Sequence, residues 1–368
     1  MRNLSDTSYR LIIHRLIKWM LLTLSFAVLS GCEDQADEYQ SSAHPPFCGA
    51  RSTQELACLR PWLPFIPRVH IGAQWTLTHP HDIPFNVGYS HNLDDDQPRE
   101  WTSTSMIELS KLGRVKVFIS TDAYASPTHP EITCESLTHS HIYEVMSAYD
   151  PEAEVKGSLA IKMDDPRLIS WGEEISEINY GSDVSPNFQT PERGLGPPQG
   201  GAFDVVSLGR GGDLTFTFDP PISNGIGPDF AIFENSFSDL FLELARVDVS
   251  SDGVHFVSLP HAYLGDELID GFGEHDAALI FGLAGKYRAG YGTPFELSTL
   301  AWHLEAQRGV LDLNSIRYVR LIDIIGDGSS IDSFNQPIYD PYPTEASAGF
   351  DLDAIGIIHT SETTPCPR

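Results

Sequence analysis

Between residues 203 and 235 the apolar and polar positions alternate in a way that predicts three strands and two turns. The run 205–208 is a short apolar strand. Gly209-Arg210-Gly211-Gly212 is a turn built from residues that tolerate positive φ, and 214–218 alternates apolar and polar with period two, as a strand buried on one face does. Pro220 and Pro221, followed by Ser223-Asn224-Gly225, exclude helix and central strand, so the apolar run 230–233 is a separate strand. Downstream, 242–250 reads as a long strand, Ser251-Asp252-Gly253 as a hairpin turn and 254–259 as the returning strand. The runs 317–325 and 350–359 add two more. Seven or eight short strands separated by turns predict an all-β fold, an antiparallel β-sandwich. Upstream, strand-like runs at 69–71, 75–77, 114–119 and 142–145 predict a smaller, mostly-β domain.

Length and charge refine this picture. A chain of 368 residues exceeds what one core organises, so the expected division is a leader over 1–31, a tether over 32–47, a small domain over 48–163, the sandwich over 164–360 and a tail over 361–368. The formal charge of −28 excludes nucleic acid as a partner bound through a basic face and favours divalent cations or neutral ligands. Arg2, Arg10, Arg15 and Lys18 precede an apolar run over 19–29 that is too short to span a bilayer, which is the pattern of a secretion signal. Leu29-Ser30-Gly31-Cys32 resembles a bacterial lipobox, and that resemblance implies cleavage before Cys32, diacylation of its thiol and a lipid-anchored place in the bacterial envelope, outside the cytoplasm. The acidic stretch 33–43 fits a solvated tether. Cys48, Cys58, Cys134 and Cys366 remain, an even number that suits two disulfides in an exported chain. Three pairings are open, with Cys48–Cys58 and Cys134–Cys366 preferred.

From residue 164 onward the chain resembles a domain of bacterial exported surface proteins, including those with PEP-CTERM or cell-wall sorting signals. The resemblance rests on ordered blocks. They include Asp165-Pro166-Arg167-Leu168-Ile169-Ser170-Trp171, Gly194-Leu195-Gly196-Pro197-Pro198, Asp229-Phe230-Ala231-Ile232-Phe233-Glu234-Asn235, Ile338-Tyr339-Asp340-Pro341-Tyr342 and Gly349-Phe350-Asp351-Leu352-Asp353-Ala354-Ile355-Gly356. The block order is also similar to a galactose-binding-like jelly roll. That likeness implies a structural calcium joining early and late strands.

The acidic positions carry the candidate chemistry. Glu234 and Asn235 end one strand, Glu243 heads the next, Asp323 and Asp327 flank Ile324-Ile325-Gly326, and Asp340 opens a Pro-rich loop. Asp351 and Asp353, two apart, are expected on one face of the last strand. Carboxylates so placed repel unless they are exposed or bridged by a hard cation, which seeks six to eight oxygens. Calcium bound by Glu234, Asn235, Glu243, Asp323, Asp340, Asp351 and Asp353 is the expected cofactor; solvated turn-forming acids are the alternative, and suit Asp252 and Asp327 well. Tyr287, Tyr291, Tyr339 and Tyr342 lie in Gly- and Pro-rich segments where their rings either stack on sugar faces or cap the core. His79, His81, His91, His139 and His141, with Asp94-Asp95-Asp96 nearby, suggest a zinc or copper site or a solvated loop, and no helical HExxH accompanies them. The dinucleotide-loop and GxSxG patterns are absent. Together these features predict a lipid-anchored envelope protein whose calcium-stabilised sandwich is a binding or structural module for glycan or another envelope component, and not an enzyme. A polysaccharide hydrolase using the acidic cluster, or a capture protein for a small nutrient, is the alternative.

Overall fold

The computed structural model describes residues 68–77, 84–125, 133, 134, 136–201 and 203–361. All lie in the compact unit Pro45–Arg368. The expected leader and tether, Cys32, His79, His81, Cys48, Cys58 and Cys366 fall outside the described residues, as does the side chain of Cys134, so the expectations of a lipid anchor and of two disulfides lie outside them too.

The chain is an antiparallel β-sandwich preceded by a smaller, mostly-β region. One sheet of the sandwich has the spatial order Glu174–Asn179, Asp213–Ile222, Ile316–Asp323, Ala245–Ser250 and Val257–Ser258. The other runs Ile161–Lys162, Tyr291–Phe295, Phe230–Glu234, Asp351–Ile357 and Ser170–Trp171, with Val206–Ser207 also pairing to Asp351–Ile357. Strands therefore alternate between the sheets as the chain advances, from Asp213–Ile222 to Phe230–Glu234, then Ala245–Ser250, and later Tyr291–Phe295, Ile316–Asp323 and Asp351–Ile357. This is the jelly-roll order. Between the sheets Leu214, Phe216, Phe230, Ile232, Val247, Val249, Val319, Leu321, Leu352 and Ile355 form the main core. Phe230 and Phe295 stack at 5.2 Å inside it. A second layer of Ile161, Ala231, Phe233, Ala354 and Ile358, with Trp171, covers the outer face of the second sheet, so both faces of its central strands are apolar.

Three local readings change. Pro220 and Pro221 lie inside the strand Asp213–Ile222, not between strands. They fit because pairing to Ile316–Asp323 lapses between Thr217 and Ile222, where no ladder N–H is required of them. The strand expected over 242–250 begins only at Ala245: Leu244 N–H donates to Asp340 Oδ2 at 3.0 Å and leaves the ladder. Its returning partner shrinks to Val257–Ser258, because Asp252 folds the intervening turn by accepting from Val254 N and His255 N, each at 2.8 Å.

In the N-terminal region a five-stranded sheet has the order Arg68–His70, Leu137–Met146, Gly113–Thr121, Phe85–Ser90 and Thr102–Ser103. Its core of Val87, Ile107, Val117, Ile119 and Tyr143 continues into Ala262 and Phe334 of the sandwich region, and Tyr149 stacks on Phe281 at 5.1 Å. The boundary expected at 163/164 thus runs along a packed seam, and Ile161–Lys162 already pairs with Tyr291–Phe295. The histidines diverge. His91 Nδ1 meets the Arg114 carbonyl at 3.3 Å, His139 stacks on Trp302 at 5.9 Å, and His141 meets Tyr143 edge-on at 4.6 Å.

The core makes a quantitative expectation. Phe230→Ala, at 0% exposure, should cost about 3–5 kcal/mol by lost transfer energy plus cavity. Phe237→Ala, at 71% exposure, should stay within about 0.5 kcal/mol. Urea midpoints of the two variants check the contrast, and equal midpoints would contradict the assigned core.

Candidate functional site

The strand directions bring the acids to one end of the sandwich. Ala245 pairs with Asp323, Asp213 with Ile322, and Glu234 with Leu352. Two strands therefore end in an acid there, and Asp351 opens a third. Glu234, Glu243, Asp323, Asp340, Asp351 and Asp353 are each 4% exposed or less, and Asn235 is 8% exposed. Acids next to turns are ordinarily solvated, whereas these are withdrawn from water.

Two of the six are consumed by backbone amides. Asp323 Oδ2 accepts from Gly211 N and Oδ1 from Phe350 N, both at 2.7 Å. Gly211 presents its amide because the turn takes positive φ at Gly209 (75°) and Gly211 (73°). At Gly349 (φ 72°) a Cβ would come within 2.6 Å of Asp323 Oδ1, so only glycine lets the last strand approach this carboxylate. Asp353 accepts from Gln199 N at 2.9 Å and Gly200 N at 3.0 Å. Asp353 is also the extra residue of a β-bulge, since Phe233 pairs with Ala354 while Glu234 pairs with Leu352. The simple alternation expected for Asp351 and Asp353 is interrupted there, and the two carboxylates have different partners.

The other four are less satisfied. Glu234 Oε2 accepts from Ser236 N at 2.8 Å and Asp340 Oδ2 from Leu244 N. Asp340 Oδ1 and Asp351 Oδ1 are buried without a hydrogen-bond donor. Burial pushes the carboxyls of Glu234 and Glu243 well up. Asp351 and Asp340 raise both further, Asp353 adds to Glu234, and Glu234 and Asp323 add to Glu243. Burial likewise raises Asp340 well above the usual carboxylate range, against the Leu244 amide. Asp351 is pushed up to about 7 by burial, opposed by the neighbouring side chains of Ser207 and Asn235. Asp323 is also pushed up to about 7 by burial, although two amides and the Arg210 charge pull it down. Like charges out of water raise one another until they take up protons or a cation.

Hard oxygen donors, unpaired at two positions, suit calcium or another hard cation better than zinc or copper. Among the described residues no three His, Cys, Asp or Glu side chains converge on one ligating point. A cation would therefore require side-chain movement that brings these oxygens together. One neighbour escaped the sequence reading. His275, 3% exposed, meets the carbonyls of Leu242 (3.0 Å) and Tyr339 (3.1 Å) and stands 3.9 Å from Asp340 Oδ1, while burial pushes it down to about 4. Its only sequence signal is its place between Gly- and Asp-rich turns.

The tyrosines have separate partners. Tyr287 is 1% exposed, donates to Asp150 and lies beneath Lys286, so it packs the interior. Tyr291 and Tyr342 each carry a guanidinium over one face, from Arg288 at 4.7 Å and Arg210 at 4.8 Å. Tyr339 meets Tyr263 edge-on. Asp252 and Asp327 act as turn formers, Asp327 accepting from Ser329 N at 2.9 Å.

No family model matches the chain and no curated protein matches it. Among solved structures it is similar to an allantoicase, at 10% identity over 75% of this chain and 67% of that one, with a TM-score of 0.25. It is similar to a two-domain protein of unknown function from Bacteroides fragilis NCTC 9343, at 11% identity over 81% and 93%, with a TM-score of 0.22. A carbohydrate-binding module of the β-sandwich superfamily gives 9% identity over 80% and 88%, with a TM-score of 0.15. Scores this low leave the architecture to rest on the chain's own strand order.

The raised carboxyls determine a pH dependence. In EDTA, Asp323 and Asp351 hold protons in the folded state up to about pH 7, whereas unfolded aspartates release theirs near about 3.9. Over that window the folded state binds more protons, so stability falls as pH rises. Melting temperature in EDTA should therefore drop between about pH 5 and about pH 7.5. A flat or rising profile would show that these carboxylates are relieved by some other means.

Proposed function

We propose that this chain is an exported bacterial envelope protein, anchored through lipid on Cys32, whose sandwich is a calcium-stabilised binding module. The observation that carries the calcium reading is the pair of donor-less oxygens, Asp340 Oδ1 and Asp351 Oδ1, on buried carboxylates whose charge raises Glu234 and Glu243. Glu234, Glu243, Asp340 and Asp351, with the side-chain oxygen of Asn235, supply the ligating oxygens. Asp323 and Asp353, whose oxygens are held by amides, brace the surrounding segments. Calcium supplies positive charge that the low-dielectric interior otherwise lacks, and it ties the ends of three strands to the Asp340 loop.

Burial favours this structural role over hydrolysis. A glycoside-cleaving carboxyl must face substrate across a cleft, whereas these groups are 4% exposed or less. The module's ligand is a component of the envelope. Glycan is the class that the half-buried rings of Tyr291 and Tyr342 suit, and a glycan array on Tyr291→Ala and Tyr342→Ala tests it, unchanged signal counting against it.

A thermal melt with calcium and with EDTA tests the centre. The protein for it is the mature chain from residue 32, made with Cys32→Ser, which retains every described residue. A ligand that binds only the folded state adds RT ln(1 + [L]/Kd), about 2.7 kcal/mol at a hundredfold excess over Kd. Calcium should raise the melting temperature by several degrees, and Asp351→Asn and Asp340→Asn should fold in EDTA yet lose that rise. An unchanged wild-type melt rejects the calcium reading. The anchor is tested separately in the full-length chain, where Cys32→Ser should move the protein from the membrane to the soluble fraction.

A further inference from the structure

Next to the carboxylate end the molecule displays apolar surface that its own core does not use. Phe237 is 71% exposed and Phe272 is 90% exposed, and Phe241 lies between them. Phe237 stacks on Phe241 with centroids 4.9 Å apart at 18°, and Phe241 stacks on Phe272 at 6.2 Å and 24°. Leu240 beside them is 46% exposed. Three rings drawn from two loops into one exposed stack form a patch, unlike single hydrophobic residues scattered over a surface.

The loops beneath the rings are held in place. Ser236 N donates to Glu234 Oε2, Ser236 Oγ donates to the carbonyls of Ser238 and Phe241, and Ser238 Oγ accepts from Leu240 N and Phe241 N. Asp239 is gripped by Arg288 at 2.7 and 2.8 Å. The second loop ends at His275, whose N–H donates to the Leu240 carbonyl at 2.6 Å and whose ring meets the Leu242 carbonyl. The rings are thus preorganised, which lowers the entropy lost on binding.

Charge selects the occupant. The loop bearing Phe272 also carries exposed Asp266, Glu267, Asp270, Glu274 and Asp276, and Arg246, itself paired with Asp248, is the only Lys or Arg between 211 and 285. A second copy would set this acidic loop against itself, and an anionic lipid surface would be repelled. The polar side chains of the first loop, on Ser236, Ser238 and Asp239, are already engaged within the protein, and the second loop offers charged carboxylates, which favour a cation over a neutral sugar. We propose that the stacked rings of Phe237, Phe241 and Phe272 dock a cationic polypeptide segment that places an apolar side chain between its positive charges. The apolar side chain packs on the rings, and the charges meet the acidic loop. This surface is separate from the calcium reading and stands without it.

The test uses the same mature chain and a labelled synthetic peptide of about twelve residues alternating lysine and leucine, long enough to span the patch as an extended strand. All-lysine and alternating glutamate–leucine peptides are the controls. Saturable one-to-one binding of the lysine–leucine peptide at physiological salt is expected, with both controls weaker by about tenfold or more. Phe272→Ser and Phe237→Ser, which alter exposed rings and leave the core intact, should each weaken it by a similar factor. Asp270→Asn combined with Glu274→Gln should weaken binding and flatten its salt dependence. Equal binding of the all-lysine peptide, or binding indifferent to Phe272→Ser, would overturn the proposal as mere attraction to an acidic protein. So would Phe272-dependent partition into phosphatidylcholine vesicles, Phe272-dependent signal on a glycan array, or Phe272-dependent self-association in sedimentation, each of which assigns the rings to another occupant.

Discussion

A carboxylate removed from water must find donors, a proton or a cation, and one end of this sandwich is organised by that requirement. Asp323 shows the first solution. Its two oxygens take the amides of Gly211 and Phe350, joining the end of its own strand to the turn over 209–212 and to the start of the last strand. Asp353 repeats the device with Gln199 and Gly200. Around them Glu234, Glu243, Asp340 and Asp351 have too few donors, and the charges of Asp340 and Asp351 raise Glu234 and Glu243 further. An interior that tolerates this set requires compensation, and calcium is the compensation we propose.

The same use of aspartate recurs elsewhere in the fold. At the opposite end, Asp229, fully buried, accepts from Gly225 N at 2.7 Å, Leu297 N at 2.8 Å and His359 Nδ1 at 2.9 Å. Asp332 accepts from Tyr263 N, Phe334 N and Gln336 N, setting Phe334 and the Ala262–Tyr263 strand where they meet the N-terminal sheet. Loops that look irregular in sequence are therefore anchored at both ends of the sandwich and along the seam. Rigid loops of this kind can display exposed aromatic rings, and the stack of Phe237, Phe241 and Phe272 sits on two of them.

How much was legible follows from the range of each signal. Apolar runs and period-two alternation are local signals, so the strands at Asp213–Ile222, Phe230–Glu234, Ile316–Asp323 and Asp351–Ile357 could be placed from the residues alone. Where a strand end is set by a distant group, local reading overran. Leu244 leaves its ladder for Asp340, nearly a hundred residues away, and Pro220 and Pro221 are admitted by a lapse in pairing that only the partner strand creates. The bulge at Asp353 is invisible for the same reason, since an extra residue is defined by the strand opposite it.

By itself the sequence determined the all-β class, the acidic balance, the glycine turn at 209–212 and the identity of the acids near strand ends, because each depends on residue type or on neighbours a few positions away. The tertiary structure decided that those acids are buried and that Asp323 and Asp353 are spoken for while Asp340 and Asp351 are not. It also decided that Tyr287 packs the interior and that three phenylalanines from two loops stack at the surface. Burial and partnership depend on groups brought together across the sandwich, and no spacing along a chain specifies them.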